Sequence, residues 1–460
     1  MRRHTRSILV VVVLLVFGGT ATVAGHPSQM GGEQQSLSIG QATSEQAESE
    51  TNVTVVTEGF DPDYDPETVL ARVEELRDLN AIEDVTLHEY ADENESVADV
   101  RDQFGAIRPA GARALQLYSN GSTEQRLPLG YTIERDDGVH IYLMNETDVQ
   151  AYNLSQELVV AHEFVHALQF QHDLISPSRT EFRDDFEMWT TDAILVVTSL
   201  IEGDAMTVTE QYRARYGGGE NYSVTAYNRT LPRAAWTHSV AGTPYYYGYE
   251  FYAAIDADPD VRSAVIRNPP NATAPLLHPA EHVPRKELPP APDPDLDSNL
   301  TGYHTDTVGE LVVRHSLRIN GLSFPEAADA ADGWAGDQMY YYSAPAATAT
   351  HWVTAWENAS EAREFADSWR EMLSGLSARA TEATTLDDDT LVVPASEEAS
   401  SVAYVIERDG STVRVTAASN AELARELAES ATESSRSAAS NASEERTRIS
   451  AKNAVSERWW

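Results

Sequence analysis

Apolar residues recur at helical spacing between positions 158 and 170, where Leu158, Val159, Val165, Leu168 and Phe170 would embed a helix almost all round. Its start is marked by Asn153 with Gln156 three residues on, or else by Ser155. A second apolar helical segment covers 191–205 and stays apolar until Glu202, which precedes Gly203. Upstream, Asp65-Pro66 opens a helix carrying Val69, Val73, Leu76 and Leu79, followed by a short strand at 85–87. Gly138–Met144 reads as a strand just before the first apolar helix, and as an edge strand it would pair with an extended peptide. Near the end, 401–407 and 412–417 read as a hairpin turning through Asp409-Gly410, with a helix through Leu423 and Leu427 after it. Together these elements predict an α+β chain, a mainly helical core with a small β-sheet and a C-terminal β-hairpin plus helix, folded as one domain over 61–430.

The flanks lack a core pattern. Arg2 and Arg3 precede the apolar stretch 8–17, and Thr22-Val23-Ala24 offers small residues for cleavage, so 1–24 reads as a secretory leader; an uncleaved membrane anchor is the alternative. Residues 25–60 read as a polar spacer and 431–460 as a low-complexity tail.

Composition then narrows the setting. The formal net charge of −40 excludes nucleic acid as a partner, and of 33 basic residues only Lys286 and Lys452 are lysine. Surface carboxylates in such excess suit a chain that stays hydrated in high salt. Eleven of the 16 asparagines lie in Asn-x-Ser/Thr sequons: Asn52, Asn94, Asn120, Asn145, Asn153, Asn221, Asn228, Asn271, Asn299, Asn358 and Asn441. With the leader, they point to a secreted or cell-surface glycoprotein. There is no cysteine, so any metal must be held by His, Asp or Glu.

The chemistry sits in the first apolar helix as His162-Glu163-Phe164-Val165-His166. Residues four apart on a helix lie one above the other, so two imidazoles there can share one zinc ion, and Glu163 stands about 100° round, where it can reach an attacking water. Zinc in such enzymes takes a third protein ligand. Glu202, an acid at the end of an apolar segment, is the candidate, with Glu310 a rival farther along. His278-Pro279-Ala280-Glu281-His282 matches the reversed HxxEH pattern, but the crowd of prolines from Pro269 to Pro284 leaves no room for a metal-binding helix.

These residues resemble a family of secreted, HExxH-bearing, gluzincin-like surface proteins of haloarchaea, with similar metalloproteases predicted in bacteria. The resemblance runs over roughly residues 65–425 and includes Val73-Glu74-Glu75-Leu76-Arg77-Asp78-Leu79, Glu202-Gly203-Asp204-Ala205, Arg267-Asn268-Pro269-Pro270 leading to His278-Pro279, and Gly333-Trp334-Ala335-Gly336-Asp337. It implies zinc on His162, His166 and Glu202 and catalysis by Glu163. One departure concerns the position four after Glu202, where thermolysin-like enzymes carry an Asp that orients a zinc histidine. Met206 stands there, leaving Asp204 or Asp192 to orient an imidazole. The expected activity is hydrolysis of extracellular peptides or proteins, with His278 or Tyr247 steadying the developing oxyanion. The alternative is a non-catalytic surface or envelope binding protein that keeps a zincin-like fold.

Overall fold

The computed structural model describes residues 10–13, 53–90, 111–117, 128–175, 190–219, 222–234, 236–281, 283–289, 300–345, 347–378, 390–395 and 400–434. Thr22-Val23-Ala24, the spacer up to residue 52, His282 and the tail beyond 434 lie outside the described residues. The N-terminal part contains β1 (Val10–Val13), β2 (Val55–Glu58), α1 (Pro66–Arg77), β3 (Val85–Tyr90), β4 (Gly130–Arg135) and β5 (Gly138–Met144). Its sheet runs in the order β1-β4-β5-β3-β2, with β2, β3 and β5 parallel and β4 antiparallel to both its neighbours, β5 and β1. α1 crosses over between the parallel strands β2 and β3, the usual solution for joining such a pair. It opens with Pro66, whose missing N–H costs nothing in a first turn, and stops where Asp78 turns left-handed at φ 56°.

A run of helices follows: α2 (Glu146–Gln150), α3 (Gln156–Gln171), α4 (Thr191–Tyr216), α5 (Val224–Thr230), α6 (Trp236–Ala254), α7 (Pro259–Arg267) and α8 (Ala274–Leu277). Ser155 caps α3 by accepting from Leu158 N, while Asn153 sits outside the helix at φ 59°, which decides between the two cap candidates. α4 runs past the expected segment 191–205 to Tyr216 and stops at Gly217. Gly203 is there for close packing, because a Cβ on it would fall on the backbone of Gly248 where α6 crosses. Pro244 stands inside α6 and leaves Val240 O without its helical N–H, and the hydroxyl of Thr243 donates to that carbonyl at 2.7 Å.

The C-terminal part was expected to add only a hairpin and a helix, but it is a second full sheet. β6 (Thr301–Asp306), α9 (Glu310–Ile319), α10 (Phe324–Asp329), β7 (Trp334–Ala344), β8 (Ala347–Trp356), α11 (Ala359–Ala378), β9 (Thr390–Val393), β10 (Val402–Asp409) and β11 (Thr412–Ala418) give an antiparallel sheet of order β6-β7-β8-β11-β10-β9. The long strands β7 and β8 hide from pattern reading because both faces of this sheet are covered, which removes the apolar-polar alternation. On one side Trp352 meets Phe365 and Trp369 of α11 edge-on, while Ala349, Ala403 and Ala418 pack on the other side against Leu423, Ala424 and Leu427 of a helix at 421–434. The hairpin turns through Gly410-Ser411, one residue later than expected, with Gly410 supplying the positive φ.

Carboxylates join the second sheet to the helices. Asp306 accepts from the N–H and hydroxyl of Thr191 at the start of α4, at 2.8 and 2.6 Å. Asp337 accepts from Val308 N and Gly309 N ahead of α9, at 2.8 Å each. The start of α4 is thereby fixed to the sheet, and with it the register of Glu202. One sequon changes status: Asn228 is buried and its side-chain oxygen accepts from Arg318 at 2.6 Å, so it is not open to a glycan.

Two buried histidines make stability pH-dependent. Burial, helped by Arg414, pulls His351 down to about 3, and burial with Arg318 does the same to His315. An unfolded histidine takes its proton near pH ~6.5. Their contribution is therefore complete above that pH and is lost as pH falls from there towards 3. His351→Gln, which can still bond Thr416 in place of the imidazole contact at 2.8 Å, should remove up to about 1.4 kcal/mol per pH unit of this dependence relative to the wild type. Urea unfolding at several pH values between 4 and 8 reads the difference; identical slopes would contradict the assignment.

Candidate metal centre

α3 lies under the first sheet with α4 packed beside it, and their packing brings His162, His166 and Glu202 into one buried group whose donor atoms could hold a metal ion. His162 Nε2 and His166 Nε2 are 3.2 Å apart, and Glu202 Oε2 is 3.5 Å from the first and 3.3 Å from the second. Around a tetrahedral ion with bonds of about 2.0–2.1 Å, donor atoms stand about 3.3–3.4 Å from one another. The triangle fits zinc. Among the described residues Glu202 Oε2 makes no hydrogen bond, a costly condition for a buried carboxylate oxygen unless a cation satisfies it.

Glu163 stands beside the group without belonging to it. Thr132 Oγ1 on β4 donates to Glu163 Oε2 at 2.6 Å, and Glu163 Oε1 is buried with no hydrogen-bond partner among the described residues. β4 can come this close only because residue 130 is glycine: a Cβ there would stand 2.7 Å from Glu163 Oε1.

Burial and mutual charge set the protonation of the group. Burial pushes the Glu163 carboxyl up to about 8, and the Thr132 hydrogen bond only partly offsets it. Burial pulls His162 down to about 4. For His166 burial acts in the same direction, but the Glu202 carboxylate outweighs it and raises the imidazole to about 9. Glu202 itself is raised by burial and lowered more by the two imidazoles, with a net downward shift. The protein alone thus favours a proton on the His166–Glu202 pair, the place a cation would take.

The backs of both imidazoles are held. His162 Nδ1 lies 2.9 Å from Thr209 Oγ1, and His166 Nδ1 lies 2.8 Å from Gln169 Oε1. Of the two acids considered for this task, Asp192 is engaged elsewhere, accepting from Thr273 N and Oγ1 at 3.0 and 2.6 Å. Asp204 reaches His166 through Gln169, a residue that sequence reasoning passed over. Its signal was present, three residues after His166 on the same helix face.

Other sequence candidates lie in a second cluster. Glu310 pairs with Arg314 and His278, at 2.8 Å each, and leaves the third-ligand position to Glu202. His278, Glu281 and Asp332 are also near enough to share an ion, but His278 Nε2 lies 3.2 Å from the Arg314 guanidinium, which repels a cation. Tyr247 is buried with the Arg314 guanidinium 5.9 Å from its ring. The two residues expected to face an oxyanion therefore make their contacts around Arg314 and Glu310. The ring beside the metal-binding group is that of Tyr245, stacked 6.4 Å from His162, with Tyr227 edge-on to it at 5.9 Å. The tyrosine-rich run was visible in the sequence; which of its rings points to α3 depends on how α6 is rotated.

Residues 298–428 match the model of a family described as a domain of unknown function (DUF8575). No curated protein and no solved structure matches the chain. The matched stretch takes in the second sheet and α9 to α11, and contains none of His162, Glu163, His166 or Glu202.

Proposed function

We propose that this chain is a zinc-dependent peptidase acting on extended peptides outside the cell. One observation carries the reading: two imidazole nitrogens and a carboxylate oxygen stand at tetrahedral spacing, beside a second buried carboxylate with one oxygen unbonded among the described residues. A structural metal site has no use for that second carboxylate. Zinc, when bound, supplies a Lewis acid that polarises the scissile carbonyl and acidifies water. The chain's own residues do the rest. Thr132 holds Glu163 by Oε2 and leaves Oε1 without a hydrogen bond among the described residues, so Oε1 is the oxygen left to act as base. Oε1 takes a proton from the attacking water and passes it to the departing amine. The Glu163 carboxyl, raised by burial, would be lowered again by positive charge at the three donor atoms and so be ionised for the first of these steps.

The strand for the peptide is β4. β5, the strand first considered, has β3 and β4 on its two sides and no open edge. β4 lies over α3 with Gly130 and Thr132 against Glu163, and its outer side is paired antiparallel with Val10–Val13, from Val10 opposite Ile133 to Val13 opposite Gly130. That pairing supports the reading: an antiparallel extended segment fits this edge, and removal of the leader stretch that contains Val10–Val13 would free it for a substrate. The leader and the sequons supply the argument for the extracellular setting, and the excess of carboxylates the argument for high salt.

In high-salt buffer, the wild type should bind about one zinc and cleave peptides, and chelation should abolish cleavage. Glu163→Gln keeps an acceptor for Thr132, so it should bind zinc equally while losing hydrolysis by about 10²–10⁴-fold. A zinc-loaded wild type that leaves a broad peptide library intact would favour the non-catalytic binding protein instead.

A further inference from the structure

The two imidazoles are supported by different devices, and the one behind His166 reaches far into the fold. Thr209 gives its own proton to Ala205 O at 2.7 Å, so its oxygen accepts from His162 Nδ1. That device begins and ends on α4. Behind His166, Gln169 Nε2 donates to Asp204 Oδ2 at 2.8 Å and to Ile201 O at 3.1 Å. These two bonds fix the amide with Oε1 towards His166, which obliges the imidazole to carry its proton on Nδ1 and turn Nε2 towards Glu202. Asp204 is in turn gripped by Arg77 Nε of α1 at 2.8 Å and by Arg262 Nε of α7 at 2.7 Å. All of these side chains are buried.

We infer that Gln169 is a positioning residue that couples the Asp204 carboxylate to His166 and thereby sets the affinity of the metal centre. This inference rests on the zinc reading above and extends it. The charge is one amide away from the imidazole instead of touching it. Asp204 therefore has two separable duties, neutralising two arginines and polarising Gln169, and only the second passes through residue 169. Removing the amide leaves both arginine pairs in place, so Gln169 can be tested without dismantling the fold.

The test is Gln169→Met, which keeps the length of the side chain and removes both hydrogen-bonding ends. Zinc affinity would be measured by competition with a chelator, and imidazole N–H resonances recorded on the zinc-loaded, nitrogen-15-labelled protein. The dissociation constant should rise by about 10–100-fold. The Nδ1–H signal of His166 should shift or vanish while that of His162 stays, a result that general loosening of the fold would not give. A dissociation constant within about twofold of the wild type, or equal changes in both imidazole signals, would overturn the coupling. Wild-type protein that takes up no zinc would overturn the metal reading itself, an outcome distinct from either.

Discussion

Asp204→Ala is expected to cost about 3–5 kcal/mol of stability, because it strips the shared carboxylate from two buried arginines at once. Arg77 and Arg262 place Nε 2.8 and 2.7 Å from its two oxygens, and the side chains of all three have almost no exposure. Removing the anion leaves two guanidinium groups in the interior. Arg77 would keep Pro259 O and Ser263 Oγ, and Arg262 would keep Ala257 O, but none of these carries a charge. Urea unfolding followed by circular dichroism, in chelator so that metal binding does not contribute, reads the loss directly. A change below about 1 kcal/mol, the range of an exposed ion pair, would show that the cluster is hydrated and that the charge balance drawn here is wrong.

Gly248→Ala is expected to be of similar size for a different reason. A Cβ at 248 would fall within the carbonyl oxygen of Ser199 and stand 2.9 Å from Gly203 Cα, both of them backbone atoms of α4. Backbone cannot rotate away as a side chain can, so α4 and α6 must separate. Overpacking of side chains costs about 1–3 kcal/mol, and this substitution should reach or exceed the upper end. Since Glu202 adjoins Gly203, zinc affinity should fall together with stability. Gly375→Ala supplies the contrast: it lies in α11, exposed and with nothing within 4 Å of a Cβ, and should gain about 0.5–1 kcal/mol from helix propensity alone. If Gly248→Ala matched Gly375→Ala in sign, the close crossing of α4 and α6 would be refuted.

The excess of carboxylates bears on both experiments. With a net charge of −40, the folded chain repels itself at low ionic strength, and stability differences should be compared at one fixed, high salt concentration.

Much of the centre was legible because its first part is local. His162, Glu163 and His166 lie within one and a half turns of α3, and the helix fixes their directions whatever surrounds them. The start of α1 at Pro66 and the span of β5 were readable for the same reason, since each depends on neighbours a few residues away. The covered faces of β7 and β8 were not readable, because a strand buried on both sides has no alternation to detect. Gly203 shows the same limit: the sequence places a glycine after an apolar run, and only the presence of Gly248 opposite shows that it serves a crossing.

By itself, then, the sequence determined the helix that presents two imidazoles and a carboxylate, the absence of thiolate chemistry and the acidic surface, all properties of residue type or of spacing within a turn or two. The tertiary structure decided which distant acid completes the group, Glu202 instead of Glu310, and placed β4 rather than β5 over Glu163. It also decided that Asp204 reaches His166 through Gln169. Each of these outcomes joins segments 30 or more residues apart, and such pairings follow from how helix and sheet surfaces pack, which no local window of sequence contains.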